Sequence, residues 1–146
     1  MTAVTEQDVE RLMEQLGQKA DERGLAALDP AERTVLLAWW ARGVIGNGGF
    51  KYFFEGGSEL GPVARAFRAL GFPKAAEACE HVDAEVVPEG RAPRDDEARR
   101  AALAHVDWRR FEADQLEIFA VKWELLSGAI GRYIENQSQA GKGVRS

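Results

Sequence analysis

Glu77, Cys79, Glu80, His81, Asp83 and Glu85 set a histidine and a thiol among carboxylates within one short stretch. Such a cluster could hold a metal ion or carry acid–base chemistry. Zinc sites, however, show several His or Cys ligands at defined spacings, and this chain has two histidines, His81 and His105, and one cysteine. His81 is therefore read as a solvated side chain, paired with Glu77 or Glu85 one helical turn away. Cys79 falls on the apolar face of its helix and is assigned to the core, where free cysteines concentrate. A nucleophile is equally hard to find. Ser58 sits in Gly56-Gly57-Ser58-Glu59-Leu60, which is no Gly-x-Ser-x-Gly elbow, and no Gly-Lys-Ser/Thr occurs, so there is no P-loop. Gly46-Asn47-Gly48-Gly49 follows no convincing strand and makes a poor dinucleotide loop. It is read as a tight turn between helices, with glycine supplying a positive φ. Without a nucleophile–base pair the chain is expected to be no enzyme and to need no metal or cofactor.

Charge offers a different chemistry. The formal net charge is −5, and residues 77–97 alone hold eight acids against two bases. Nonspecific nucleic-acid binding needs Lys and Arg to displace phosphate counterions, so direct nucleic-acid contact is not expected. A protein with a basic surface is the fitting partner. Glu77, Glu80, Asp83, Glu85, Glu89, Asp95 and Asp96 are the candidate partner-binding carboxylates; the plainer alternative is a solvated face and loop. The N-terminal helix, also acidic, is the other candidate contact. Four tryptophans, Trp39, Trp40, Trp108 and Trp123, could line a pocket, but each lies beside a helical apolar stripe and is assigned to the core.

These side chains must be carried by helices. Thr5 and Asp8 read as an N-cap and a first-turn carboxylate, followed by Val9, Leu12, Met13 and Leu16 at helical spacing, with Gly24 as the stop. Asp29-Pro30-Ala31-Glu32 is a capping box with proline at the first helical position, and Leu36, Leu37, Trp40 and Val44 form the expected inner stripe. After the glycine break, Phe50, Phe53 and Phe54 share one face. Ser58 is the expected cap of the next helix, which buries Val63, Ala64, Phe67 and Leu70 and closes at Gly71. Pro73 opens another, with Ala75, Ala76, Cys79 and Val82 inward. The apolar period then stops, and 83–94 reads as a surface loop punctuated by Pro88, Gly90 and Pro93, with Glu85-Val86-Val87 as a candidate extended piece. Asp95 or Asp96 caps a helix through Leu103. Leu116, Phe119, Trp123, Leu126, Ile130 and Tyr133 predict one long final helix, and 137–146 reads as a polar, frayed tail.

The expected fold is a single compact all-α domain of six to seven helices over residues 1–136. At 45% hydrophobic and 29% charged residues the composition is globular. A lone cysteine forms no internal disulfide. The first 14 residues carry four acids and no apolar run, which argues against a signal peptide. No window approaches the ~20 apolar residues of a membrane span. A cytoplasmic protein is expected, as a monomer or a homodimer.

Asn47-Gly48-Gly49-Phe50-Lys51-Tyr52-Phe53-Phe54, then Ser58-Glu59-Leu60 and Ala66-Phe67-Arg68-Ala69-Leu70-Gly71, resemble a bacterial family whose named member is a DNA-mimic protein. The likeness continues through Lys74-Ala75-Ala76, reappears at Tyr133-Ile134, and covers most of 33–136. It implies an all-helical fold and an acidic surface that occupies the DNA-binding face of a transcription factor. Val44, Tyr52 and Gly56 stand where the family usually has Glu, Gln and a second Asn. The turn is accordingly read as structural, with Asn47 bonding local backbone and Phe50, Phe53 and Phe54 as anchors. A protein-binding regulator acting by charge mimicry is thus set against an interaction or immunity-type module without mimicry, and against a small-molecule enzyme built around the aromatic turn and His81.

Overall fold

In a computed structural model the chain is described over residues 4–89 and 92–144, of which 139–144 are described as backbone alone. Among these residues there are seven α-helices and no strand. None of the helices is long and apolar enough to cross a membrane.

Helix α1 (Glu6–Arg23) starts as its sequence dictates. The Thr5 hydroxyl accepts the Asp8 N–H and the Asp8 carboxylate accepts the Thr5 N–H, which satisfies two otherwise orphaned donors. Gly24 ends the helix at φ 86°, and a single 3-10 turn, Leu25–Ala27, leads to Asp29. There the capping box repeats, Asp29 with Glu32, and opens α2 (Pro30–Glu55).

The buried face of α2 is Val35, Leu36, Ala38, Ala41, Arg42 and Ile45. Of the expected stripe only Leu36 is buried; Leu37 and Val44 are partly covered and Trp40 is exposed. Ala38 and Ala41 at the interface let neighbouring helices approach closely, and Leu37, Trp40 and Val44 are left toward the outside. The glycine run also behaves differently from a loop. The helix continues through Gly46, Asn47 and Gly48 and breaks at one residue, Gly49, with φ 75° and ψ −174°. Beyond the kink Phe50, Phe53 and Phe54 are buried, each at most 2% exposed. They anchor the second limb of α2 in the core.

Helix α3 (Leu60–Ala69) has Glu59, not Ser58, at its N-cap, with no side-chain capping bond. It packs against α2 and α4 (Pro73–Val86). Helix α4 is longer than its sequence suggested, because Val86 lies four residues after Val82 and still packs on the core. Asp83 and Glu85 are therefore helical, and Glu85-Val86-Val87 is a helix end rather than an extended piece. The Asp95 carboxylate accepts the Ala98 N–H and caps α5 (Asp96–Leu103). A 3-10 turn at Trp108–Phe111 precedes α6 (Glu112–Phe119), and α7 (Trp123–Val144) closes the fold against α1 and α2.

The expected long final helix is thus two. Neither glycine nor proline marks the break at 120–122. The buried Arg42 takes the Val121 carbonyl as acceptor for its Nε, at 2.7 Å, so that carbonyl is held by a side chain from α2. Leu116, expected inside, is 65% exposed. At the other end α7 carries its helical backbone through Val144, across most of the segment read as a frayed tail; residues 145 and 146 lie outside the described residues.

Candidate partner-binding surface

Geometry separates the expected acidic patch into two kinds of carboxylate. Glu80 accepts both terminal nitrogens of Arg68, at 2.9 and 2.8 Å. Glu85 faces Arg110 at 3.4 Å, Asp96 is bonded to Arg99, and Asp95 is committed to its cap. Glu80, Glu85 and Asp96 each face an arginine within the fold, and Asp95 is held by a backbone N–H. Glu77, Asp83, Glu89 and Glu97 have no ion pair within 4.0 Å among the described residues. Asp83 is partly buried, and this burial, with Glu59 nearby, pushes its carboxyl above the ordinary range. Raised that way, it carries its charge less readily than an exposed neighbour. Pairing with arginines distant in sequence is invisible in a count of local charge, and it is why the patch is weaker than its composition.

Helix α1 presents the clearer array. Glu6, Glu10, Glu14 and Asp21 are all exposed, and none has an ion pair within 4.0 Å among the described residues. At 100° per residue they fall within one narrow stripe. Glu6, Glu10 and Glu14 recur every ~6 Å along the helix, and Asp21 follows ~10 Å beyond Glu14. Glu10 and Glu14 border a hollow shared with Met13 and Trp39. Lys19, on the other side of the helix, is held by Glu32 at 3.7 Å.

The kink in α2 is a structural device. A Cβ on Gly49 would meet Gln115 Oε1 at 2.7 Å, so α6 closes directly on the bend. Asn47 is exposed and makes no side-chain hydrogen bond among the described residues, so the expected local bond to backbone is not formed there. Phe54 stacks beside Trp108, and Phe53 beside Trp40.

The sequence matches the family described as DMP19-like protein over residues 26–137. The chain belongs to the DMP19-like family. Comparison with curated proteins and with solved structures finds no match. The DMP19-like region takes in the kinked α2, the three phenylalanines and residues 77–97, and begins after the α1 carboxylate stripe.

His81 Nδ1 meets Asp114 Oδ2 of α6 at 2.9 Å, so its partner is neither Glu77 nor Glu85. Among the described residues no three His, Cys, Asp or Glu side chains are grouped to hold a metal. Cys79 is fully buried. Burial, reinforced by Asp83, Glu80 and Asp114, pushes its thiol up to about 12. Because the thiolate is the reactive form, we expect no measurable reaction of native protein with a disulfide reagent at pH 8, and one thiol titrated after guanidinium unfolding. Equal rates in both states would contradict the burial.

Two buried arginines were missed. Arg42 lies over the rings of Phe119 and Trp123, at 5.7 and 5.1 Å, and desolvation lowers its pKa. Arg99 binds the carbonyls of Glu55, Pro93 and Arg94, tying the end of α2 to the loop before α5. The signal available was Gly46, one turn after Arg42 and leaving room for its guanidinium. An arginine on a helix otherwise reads as exposed.

Proposed function

We propose that this protein is a non-enzymatic regulator that works in the cytoplasm by binding a protein with a basic surface. The fitting partner is the DNA-binding face of a transcription factor, which its carboxylates would occupy in place of phosphates. The observation that carries this reading is the row of free carboxylates on α1, in a chain of the DMP19-like family. Four charges over ~22 Å of helix, ~7.5 Å apart on average, hold a little under half the linear density of one DNA strand, whose phosphates recur every ~3.4 Å along the axis. Glu77, Asp83, Glu89 and Glu97 are the remaining uncompensated acids of the 77–97 patch and would extend the surface. Glu80, Glu85, Asp95 and Asp96 serve the fold first.

The test compares two fourfold amide variants against a partner captured from the native host and then purified. Changing Glu6, Glu10, Glu14 and Asp21 to their amides should slow association on the order of tenfold at low salt, since steering scales with exposed charge. Changing Glu77, Glu80, Asp83 and Glu85 should slow it less, because two of the four already face arginines. The reverse order would move the contact to α4. No change in either variant would sink the electrostatic reading.

A further inference from the structure

The two buried arginines are satisfied very differently. Arg99 donates through Nε to Glu55, through Nη1 to Pro93 and Arg94, and through Nη2 to Asp96. Its fork is filled and its charge is answered by a carboxylate. Arg42 is as deeply placed, at 9% exposure, yet only its Nε is bonded, to the Val121 carbonyl. Among the described residues its Nη1 and Nη2 donate to nothing, and no carboxylate lies within 4.0 Å. Four of the five N–H groups of this guanidinium are therefore open. Phe119 and Trp123 attract the charge, but ring centroids 5.7 and 5.1 Å away accept none of those hydrogens. A buried charge is costly unless it is paired and hydrogen-bonded. The open edge of the fork also has a way in. Gly46, one turn after Arg42, is exposed, and a Cβ there would meet Nη1 at 2.5 Å. Nη1 thus lies where the side chain of an exposed residue would begin. Three residues on, Gly49 packs against Gln115, whose amide makes no hydrogen bond among the described residues. Gln115 and Phe119 are one turn apart on α6, so a second polar donor stands on the same seam.

We propose that Arg42 anchors an anion site on the seam between α2 and α6, entered beside Gly46, and that its ligand is a carboxylate group. The two outer nitrogens of a guanidinium match the two oxygens of a carboxylate in a planar fork. One fixed positive charge answers one negative charge, whereas a doubly charged phosphate would bring an excess into a desolvated place. The site uses neither the α1 carboxylates nor a basic partner, and it stands apart from the proposed function.

The probe is acetate, titrated into the ¹⁵N-labelled full chain at fixed pH and ionic strength with chloride as the balancing ion. The Nε–H resonance of Arg42 and the indole N–H resonance of Trp123 should move and saturate near ~1 mM, about what so few non-hydrogen atoms can supply. Inorganic phosphate should saturate only at higher concentration. A blocked Gly-Gly-Glu-Gly-Gly peptide run beside acetate separates a free acid from a protein side chain, and whichever saturates at the lower concentration names the source. Replacing Arg42 also strips the Val121 carbonyl of its donor, so the decisive variant is Gly46→Ala. It keeps the arginine and sets a methyl group against Nη1. Alanine suits a helix interior better than glycine, so the melting temperature should hold, while affinity for acetate falls at least about tenfold with the loss of charge-assisted hydrogen bonds. Three results would each overturn the site: movement no greater than chloride alone produces, unchanged acetate binding by Gly46→Ala, or tighter binding of phosphate than of either carboxylate.

Discussion

Phe53→Ala and Phe54→Ala should each lose about 3–5 kcal/mol of unfolding free energy, the usual cost of removing a fully buried phenylalanine. Both side chains are 1% exposed. They pack edge-on to each other with ring centroids 5.7 Å apart. Phe53 also meets Trp40, and Phe54 meets Trp108, so each truncation opens a cavity bounded by other aromatics. Such walls collapse poorly, which favours the upper part of the range. Against a typical total of about 5–15 kcal/mol, either change removes a large share. The melting temperature should fall on the order of 10 °C for a domain this size. Thermal denaturation followed by circular dichroism reads the effect. Wild-type melting of both variants would show that the second limb of α2 does not anchor the fold.

Gly49→Ala should be the next most damaging single change. At φ 75° and ψ −174° the backbone occupies a region open essentially to glycine alone, and holding another residue there costs about 1–3 kcal/mol. A methyl group would also meet Gln115 Oε1 at 2.7 Å. The two costs can be separated. Gln115→Ala in the same chain removes the collision and leaves the backbone cost, so the double variant should recover only part of the loss in urea denaturation. Complete recovery would mean that the kink carries no backbone requirement of its own. If Gly49→Ala alone had no effect, the bend would lie elsewhere.

Much of the fold was legible because its signals are local. Thr5, Asp29 and Asp95 cap the helices they precede; Thr5 and Asp29 are each followed three residues later by an acid that completes a capping box. The phenylalanine trio is recognisable from its spacing alone. The features that misled depend on tertiary partners. At the break between α6 and α7 the Val121 carbonyl is held by Arg42 from across the fold, and no turn residue marks it. The stripe Leu36, Leu37, Trp40 and Val44 is read as the inner face of α2, but beside Leu36 the core takes Val35, Ala38, Ala41 and Ile45. The candidate surface was half legible. Acid density pointed to 77–97, but Arg68 and Arg110, distant in sequence, neutralise Glu80 and Glu85 there. The α1 row is masked in a linear count, where its acids are interleaved with Arg11, Lys19 and Arg23.

Displacement of DNA tests the central claim most directly. A host DNA-binding protein captured by this chain would be loaded on its labelled operator duplex and titrated with the wild-type chain at several salt concentrations. Competitive release of the duplex is expected, with binding of the chain weakening as salt rises because exposed charges are screened. The amide variant of Glu6, Glu10, Glu14 and Asp21 should release far less DNA at the same concentration. A ternary complex in which duplex and chain are held together, with an affinity indifferent to salt and to those four substitutions, would contradict the account.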